Sequence, residues 1–290
     1  MLDRVRGIRW IGGEDAIAGL AGIGEADIRP LPAGLEAEVA LVRLEGKDYV
    51  LKIWNRASKP DIGFQYRLLK TMYGRGLPVS RPLGWGMDPS GHHVLLTSFD
   101  CTAVREEDAD KLHRIAGMLL DVHRQHIDDP VLPRYDFVTY FFPGIDAHPD
   151  FAGELKRLVE VARPRQDTVI HGDYNFDNIL VTKDGRLTII DWTNAQWGDA
   201  RYDIAWSVFL ADLNANDALA AKYRLAYLNG GGYSAEELEP FEAMAMIRWM
   251  LLDRTAGMLR MKTTDERLRR IMETNRFIRP EELAWNCPNN

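Results

Sequence analysis

The stretch VIHGDYNFDNILV, residues 169–181, places one histidine, two aspartates and two asparagines between two short apolar runs. The apolar runs have the length and composition of β-strands, so the polar residues between them fall on a loop. Polar side chains clustered in this way either form a turn or belong to a catalytic or binding site. The spacing of the polar residues helps to decide between these two interpretations.

Asp173 and Asn178 are five positions apart, in the pattern D-x-x-x-x-N, and Asp191 ends the apolar run LTII thirteen residues further on. Carboxylate and amide oxygens are ligands that suit a hard cation such as Mg²⁺. Upstream, Lys52 lies in the strand-like segment YVLKIW, where an ammonium group is costly to bury without a partner. One lysine, one loop with Asp and Asn, and one strand-end aspartate are the groups that phosphoryl transfer to a hydroxyl requires.

The motifs HGDYNFDNIL and IIDW resemble the catalytic and metal-binding segments of the aminoglycoside phosphotransferase family, which is related to the protein kinases. The stretch GRLTIIDWTNAQWGDARYDIAW, residues 185–206, is similar to the corresponding segment of that family, including the hygromycin phosphotransferases. The likeness also takes in YVLKIW, GLPVSRPLG, LLTSF and LLDVHRQH, so it covers most of the chain. It implies a protein-kinase-like bilobal α+β fold, with an antiparallel β N-lobe and a mainly helical C-lobe.

The resemblance implies a role for each residue that matches the motifs of the family. Asp173 would be the catalytic residue that orients or deprotonates the acceptor hydroxyl. Asn178 would hold one Mg²⁺ ion, and Asp191 would bridge the metal ions and the nucleotide phosphates. Lys52 would bind the α- and β-phosphates. His171 would shape the catalytic loop.

The resemblance also implies that two further segments bind the nucleotide. Residues 33–38 would be the loop that covers the phosphates, with Gly34 as its single glycine. The segment TSFD, residues 97–100, would be the hinge that meets the base, so Ser98 and Phe99 are expected to bind the nucleotide.

The chain departs from the family at Gln65 and in the phosphate loop, which is poor in glycine. A glutamate usually pairs with the strand lysine, and here Gln65 occupies its place. An amide can accept a hydrogen bond from the ammonium of Lys52 but lacks the opposite charge. Either this pair is weakened, or a nearby carboxylate such as Asp61 substitutes. The resemblance also implies that Asp203 braces the catalytic loop from the start of a helix.

The pattern along the chain changes near residue 100. Residues 37–54 predict a β-hairpin, residues 61–75 a helix and residues 92–100 a strand, so residues 1–100 form the expected nucleotide-binding N-lobe. The remaining residues, 101–290, form the expected catalytic and substrate-binding C-lobe. It includes a predicted helix at 106–126, a buried helix at 241–261, and a capping box formed by Ser234 and Glu237.

Composition limits the classes of function. The chain of 290 residues has a formal net charge of −7, which argues against a nucleic-acid partner. Its two cysteines form no metal motif, and no apolar run suggests a signal peptide or a membrane span. We therefore expect a cytoplasmic protein that binds a small molecule, with no nucleic-acid or membrane partner. The oligomeric state stays open, and a monomer is compatible with the sequence.

The short distance between the last two motifs favours a small-molecule substrate. Only 11 residues separate Asp191 from Asp203, which leaves no room for the activation segment of a protein kinase. The sequence thus predicts a Mg²⁺-dependent kinase that uses ATP or GTP to phosphorylate a hydroxyl group, with an aminoglycoside-like acceptor favoured. A kinase of another metabolite, such as a sugar or an amino alcohol, and a catalytically silent nucleotide-binding pseudokinase stay open as alternatives.

Overall fold

The structure is a computed structural model. It describes residues 1–13, 15–31, 37–58, 60–100, 102–103, 109–127, 132–182, 184–215, 217–257 and 263–283. Its internal contacts divide the chain into two units. The first unit comprises residues 1–103 and 179–193, and the second comprises residues 104–178 and 194–290. The lobe boundary at residue 100 stays a prediction, and the division by contacts places the later segment 179–193 with the N-terminal residues.

The strands of the described ranges are short and antiparallel to their neighbours. In chain order they are β1 (Arg9–Gly13), β2 (Ile28–Leu31), β3 (Ala37–Leu44), β4 (Lys47–Trp54), β5 (Pro82–Met87), β6 (His93–Ser98), β7 (Thr102–Ala103), β8 (Thr168–Ile170), β9 (Ile179–Val181), β10 (Leu187–Ile189) and β11 (Gln196–Gly198). The first unit contains a six-stranded sheet of order β1-β5-β6-β4-β3-β2 and a three-stranded sheet of order β10-β9-β7, and the second unit contains the pair β11-β8.

The hairpin of β3 and β4 holds the lysine of the predicted site. Glu45 and Gly46 both have a positive φ, 49° and 76°, as the tight turn of a two-residue hairpin requires. The strands pair along their full lengths, which confirms the hairpin predicted at 37–54. Leu51 and Ile53 point into the core of the first unit, so the alternation of a strand turns Lys52 to the opposite face. Because β4 lies between β3 and β6, Lys52 is not at a sheet edge.

The described part of the second unit is mainly helical. In chain order the α-helices are α1 (Leu2–Arg6), α2 (Ile62–Gly74), α3 (Ala109–His123), α4 (Phe137–Phe141), α5 (Pro149–Ala162), α6 (Ala200–Asn214), α7 (Asp217–Gly231), α8 (Ala235–Ala256) and α9 (Thr264–Thr274). Only α1 and α2 belong to the first unit. Within the second unit, α6 packs against α7, α8 and α9, and α5 packs against α8.

The ends of α2 and α8 follow from their capping residues. The carboxylate of Asp61 accepts a hydrogen bond of 2.8 Å from the backbone N–H of Phe64 and begins α2. The predicted capping box is confirmed, since Ser234 and Glu237 each accept a hydrogen bond from the backbone of the other. Helix α8 is almost fully buried from Phe241 to Leu251, and the end of the predicted helix, residues 258–261, lies outside the described residues.

These elements confirm the predicted α+β fold, in which an antiparallel sheet precedes a mainly helical region. Of the helices in the described ranges, none combines the length and the apolar character that crossing a bilayer requires.

Candidate active site

The first unit brings together two of the predicted site residues. The Nζ atom of Lys52 lies 3.4 Å from Oδ1 of Asp191, and the Asp191 side chain is 43% exposed. The hydroxyl of Thr193 donates a hydrogen bond of 2.7 Å to the same Oδ1 atom. Asp191 has a φ of 62°, in the left-handed region that a residue with a Cβ seldom adopts. A strained aspartate that faces solvent beside a lysine is typical of a functional position.

A cleft with an empty volume of about 500 Å³ lies in the first unit and includes this pair. The walls of the cleft are mostly apolar: Val50, Leu69, Leu95, Leu180, Ile189, Ile190 and Trp192. Lys52 and Asp191 form one polar group in its lining, and Ser80, Ser98 and Asp100 form another, while Gln65 and Thr97 also line it.

The two polar groups are separated along β6. Lys52 is opposite Leu95 in the sheet, and Ser98 is three residues further along the same strand, or about 10 Å at the rise of a β-strand. Burial raises the pKa of the Asp100 carboxyl, although hydrogen bonds from Ser80 and Ser98 act in the opposite direction. The next residue after Ser98, Phe99, is half-buried and is not among the residues that line the cleft. The hinge roles of Ser98 and Phe99 stay predictions.

Gln65 lines the same cleft and is only 3% exposed. Its Nε2 atom is buried and has no hydrogen-bond partner among the described residues. Asp61 does not take the place of the missing glutamate, because its carboxylate caps α2. The carboxylate that pairs with Lys52 is that of Asp191. Residues 33–36 of the predicted phosphate loop, with Gly34, lie outside the described residues, and its last two residues, 37 and 38, begin β3 instead.

The second unit brings together the other two predicted site residues. The Nδ2 atom of Asn178 donates to the backbone oxygen of Asp173 at 2.9 Å and to its Oδ2 atom at 3.3 Å. Because Nδ2 is turned inward, the amide oxygen of Asn178 is the atom left to act as a ligand. Trp206 of α6 donates from its indole Nε1 to Oδ1 of Asp173 at 2.8 Å. Asp177, in the same loop, is exposed.

Asp203 holds the start of the loop of residues 171–178 from within α6. Its two carboxylate oxygens accept hydrogen bonds of 2.8 Å from the backbone N–H groups of His171 and Gly172. The Nε2 atom of His123, on α3, lies 3.0 Å from Oδ2 of Asp203. Burial by itself would raise the pKa of Asp203, but the hydrogen bond and charge of His123, with the His171 N–H, hold that pKa below its usual value. Asp203 thus connects two helices to the loop.

Gly172 is required by the shape of this loop. Its φ is 79°, and a Cβ at this position would lie 2.6 Å from the backbone oxygen of Asn194. Its carbonyl oxygen accepts a hydrogen bond of 3.1 Å from Arg248 of α8. The guanidinium of Arg248 also stacks on the Trp206 ring, 4.0 Å from its centroid.

Trp206 and Arg248 are contacts of the loop that sequence reasoning missed. Trp206 follows Asp203 by three residues, so the two side chains share one face of α6. Arg248 is a single cation inside the apolar run of α8, and a buried arginine is rare unless it has partners. Both signals are present in the sequence.

The oxygen donors of the chain fit a hard cation. Asn178 offers an amide oxygen and, separately, Asp191 offers a carboxylate, and both are oxygen types that Mg²⁺ binds. No cluster of three or more His, Cys, Asp or Glu side chains that could hold a metal occurs among the described residues.

Comparison with solved structures finds kinases of small molecules. An ethanolamine kinase from Plasmodium vivax matches with a TM-score of 0.60 and 15% identity, over 88% of this chain and 84% of that chain. A thermostable mutant of aminoglycoside phosphotransferase APH(4)-Ia, solved with AMP-PNP and hygromycin B, matches with a TM-score of 0.64 and 16% identity, over 87% and 94%. A choline kinase from Streptococcus pneumoniae matches with a TM-score of 0.58 and 13% identity, over 84% and 93%. Likeness at this identity concerns the fold, which is of the protein-kinase-like type.

A search of curated proteins finds no match to this chain. A family model, that of the phosphotransferase enzyme family, matches residues 27–241. The matched span includes the lysine strand, the catalytic loop and Asp191, and it confirms the resemblance that the motifs indicate. The chain therefore belongs to the phosphotransferase enzyme family.

Proposed function

We propose that this protein is a Mg²⁺-dependent kinase that transfers the γ-phosphate of ATP or GTP to a hydroxyl group of a small molecule. The observation that carries the proposal is the pair of Lys52 and Asp191 in an otherwise mostly apolar cleft. Apolar walls suit the faces of a purine base, and a lysine beside a carboxylate suits phosphates with their metal ion.

The roles of the metal ligands follow from their oxygen atoms. Asn178 and Asp191 would hold Mg²⁺, which supplies neutralisation of charge on the phosphates when it is bound. Lys52 would leave Asp191 and bind phosphate oxygens, since an ammonium donates three hydrogen bonds and its charge remains. Ser98 and Phe99 would contact the base, and Gln65 and Gly34 would complete the nucleotide site.

Asp173 is assigned to the acceptor side of the reaction. The acceptor hydroxyl donates a hydrogen bond to the carboxylate, and its oxygen attacks the γ-phosphorus. A new P–O bond forms as the bond from the γ-phosphorus to the bridging oxygen breaks. The hydroxyl proton passes to Asp173, and the nucleoside diphosphate leaves with the electron pair of the broken bond.

We assign the acceptor to the small hydroxylated amines, with aminoglycosides as the first compounds to test. Solved structures of similar fold include an ethanolamine kinase, a choline kinase and a phosphotransferase bound to hygromycin B. Free glutamates would attract a polycationic acceptor, but those of residues 236–242 already have partners and give no such support. Glu242 pairs with Arg224, Glu236 and Glu239 pair with Arg276, and Glu237 caps α8. Sugars are the alternative acceptors.

The test is release of nucleoside diphosphate from ATP and from GTP over a panel of aminoglycosides, amino alcohols and sugars. Asp173→Asn should lower kcat by roughly 10²–10⁴-fold with an accepted substrate, because the proton acceptor is lost. Asp177→Asn removes a charge from the same loop at an exposed position and should keep wild-type turnover. Unchanged turnover in Asp173→Asn contradicts the proposal. Nucleotide binding without turnover over the whole panel would favour a pseudokinase.

The metal role of Asp191 has a separate test. Outer partners of metal ligands typically cost about 10–100-fold in affinity when they are removed, and loss of a ligand itself should cost more. Asp191→Ala should therefore lower the affinity for Mg²⁺-nucleotide by at least about 100-fold in titration calorimetry. Asp184→Ala, an exposed aspartate of the same unit, is the control. Full affinity in Asp191→Ala would refute the metal role.

A further inference from the structure

We propose that Trp206 is a positioning residue whose indole N–H holds the Asp173 carboxylate in the orientation that phosphoryl transfer needs. This inference rests on the proposed function and adds a residue to it. The Nε1 atom of Trp206 lies 2.8 Å from Oδ1 of Asp173, a short distance for an N–H···O hydrogen bond. The indole N–H can only donate and the carboxylate accepts, so the bond has one direction.

The two oxygens of Asp173 have different donors. Trp206 of α6 donates to Oδ1, and Asn178 of the loop donates to Oδ2 at 3.3 Å. Two donors from separate elements restrict rotation of the carboxylate about both of its side-chain torsions. Each ionised oxygen keeps a further acceptor position for a hydroxyl group.

Arg248 holds the indole ring in place. Its guanidinium lies 4.0 Å from the centroid of the Trp206 ring and 4.8 Å from that of Phe141. Its NH1 atom also donates to the backbone oxygen of Gly172, next to Asp173, at 3.1 Å. Trp206 is 4% exposed and Arg248 is 9% exposed, so both contacts are shielded from water. Helix α8 therefore fixes the plane of the ring that donates to the carboxylate.

A purely apolar role for Trp206 makes a different demand on the side chain. Packing against the buried residues of the second unit needs ring volume, which phenylalanine also supplies. The hydrogen bond to Asp173 needs an N–H group, which histidine supplies at a similar distance from Cβ, without the benzene ring of tryptophan. The two substitutions therefore separate the two roles.

The kinetic test compares Trp206→Phe and Trp206→His with the wild type on an accepted substrate. Misplacement of a reacting group by about 1 Å can cost about 100-fold in rate, so we expect Trp206→Phe to lower kcat by about 10–100-fold. The KM and the Kd for the nucleotide should stay unchanged, because Trp206 is not among the residues that line the nucleotide cleft. Trp206→His should retain more activity than Trp206→Phe.

Trp197→Phe is the matched control, since Trp197 stacks on Arg134 at 4.7 Å and has no contact with Asp173. It should keep the wild-type kcat. A wild-type kcat in Trp206→Phe, or less activity in Trp206→His than in Trp206→Phe, would overturn the positioning role.

The contact itself can be measured without turnover. The chain has eight tryptophans, and the indole ¹H–¹⁵N resonance that disappears in Trp206→Phe identifies Trp206. Asp173→Ala should move this resonance upfield, and an unmoved resonance refutes the hydrogen bond. A wild-type protein that phosphorylates no acceptor overturns the proposed function and the positioning role together. If the wild-type protein shows the hydrogen bond but Trp206→Phe has normal turnover, the positioning role alone is overturned.

Discussion

At the scale of single residues, the main departure from the family is the environment of Lys52. Its counter-ion is Asp191, and Gln65 offers an amide in the place of a carboxylate. Once a nucleotide and its metal ion engage Asp191, Lys52 would have no carboxylate partner among the residues of this cleft other than Asp100, which is held by Ser80 and Ser98. The position of Lys52 would then depend on the phosphates and on Gln65.

Gln65→Glu should restore a charge-assisted partner for Lys52. Hydrogen bonds between charged groups are about twice as strong as neutral ones, so we expect the KM for the nucleotide to fall by roughly 3–10-fold. Gln65→Leu keeps much of the side-chain volume and should raise that KM. Steady-state kinetics with the nucleotide varied at saturating acceptor gives both values. A higher KM in Gln65→Glu than in the wild type would show that the added carboxylate repels phosphate instead.

At the scale of elements, α2 carries Gln65 and depends on its first turn. Asp61 begins the helix, and Leu68, Leu69 and Met72 bury its apolar face. The helix is therefore stabilised by one cap and by packing within the first unit. Because the cap fixes where the helix begins, it also fixes the position of Gln65 in the cleft.

Asp61→Ala should lower the free energy of unfolding by about 1 kcal/mol, because the N–H of Phe64 loses its acceptor. Denaturant unfolding measures this change. Asp121→Ala is the control, since Asp121 forms only an exposed pair with Arg124 and should cost about 0–0.5 kcal/mol. Equal losses in the two variants would show that the cap adds nothing beyond a surface charge.

The structure places Asp173 beside Asn178 and Lys52 beside Asp191, and the roles of these residues stay predictions. Prediction from sequence identified them by residue type and spacing. It failed for Trp206, because a tryptophan on a mainly buried helix has the same pattern whether it packs or donates. The partner of its N–H is set by the turn of the loop at Gly172 and by the depth of α6, which are tertiary properties.

At the scale of the whole molecule, the chain passes between its two units three times, at residues 103–104, 178–179 and 193–194, and the last two crossings lie near the proposed site. The proposed metal ligands, Asn178 and Asp191, are within two residues of these crossings. In the second unit, Asp203 joins α3, α6 and the start of the catalytic loop through one buried carboxylate. The ionised carboxylate of Asp203 therefore stabilises the packing of these three parts of the unit against one another.

The stabilisation from Asp203 should depend on pH in one direction. Its pKa is lowered in the folded protein from a usual value of 3.8, so its contribution is present above that pH and is lost as the pH falls through the lower folded-state pKa. Asp203→Asn should cost about 3 kcal/mol at pH 7, as breaking a buried pair does. Denaturant unfolding from pH 7 to pH 3 should show a constant difference from the wild type that narrows only below about pH 4. A difference that narrows already near neutral pH would show that the ionisation of Asp203 does not control it.

The pair of Lys52 and Asp191 has a consequence for the order of events on the enzyme. Without ligands the two charges neutralise each other, and on the proposed function each exchanges that partner for another when the metal and the nucleotide bind together. A nucleotide that arrives without its metal would bring its phosphates to an uncompensated Asp191, and a metal alone would leave Lys52 without a counter-ion. Binding of the two ligands is then thermodynamically linked, so each should raise the affinity for the other by the same factor.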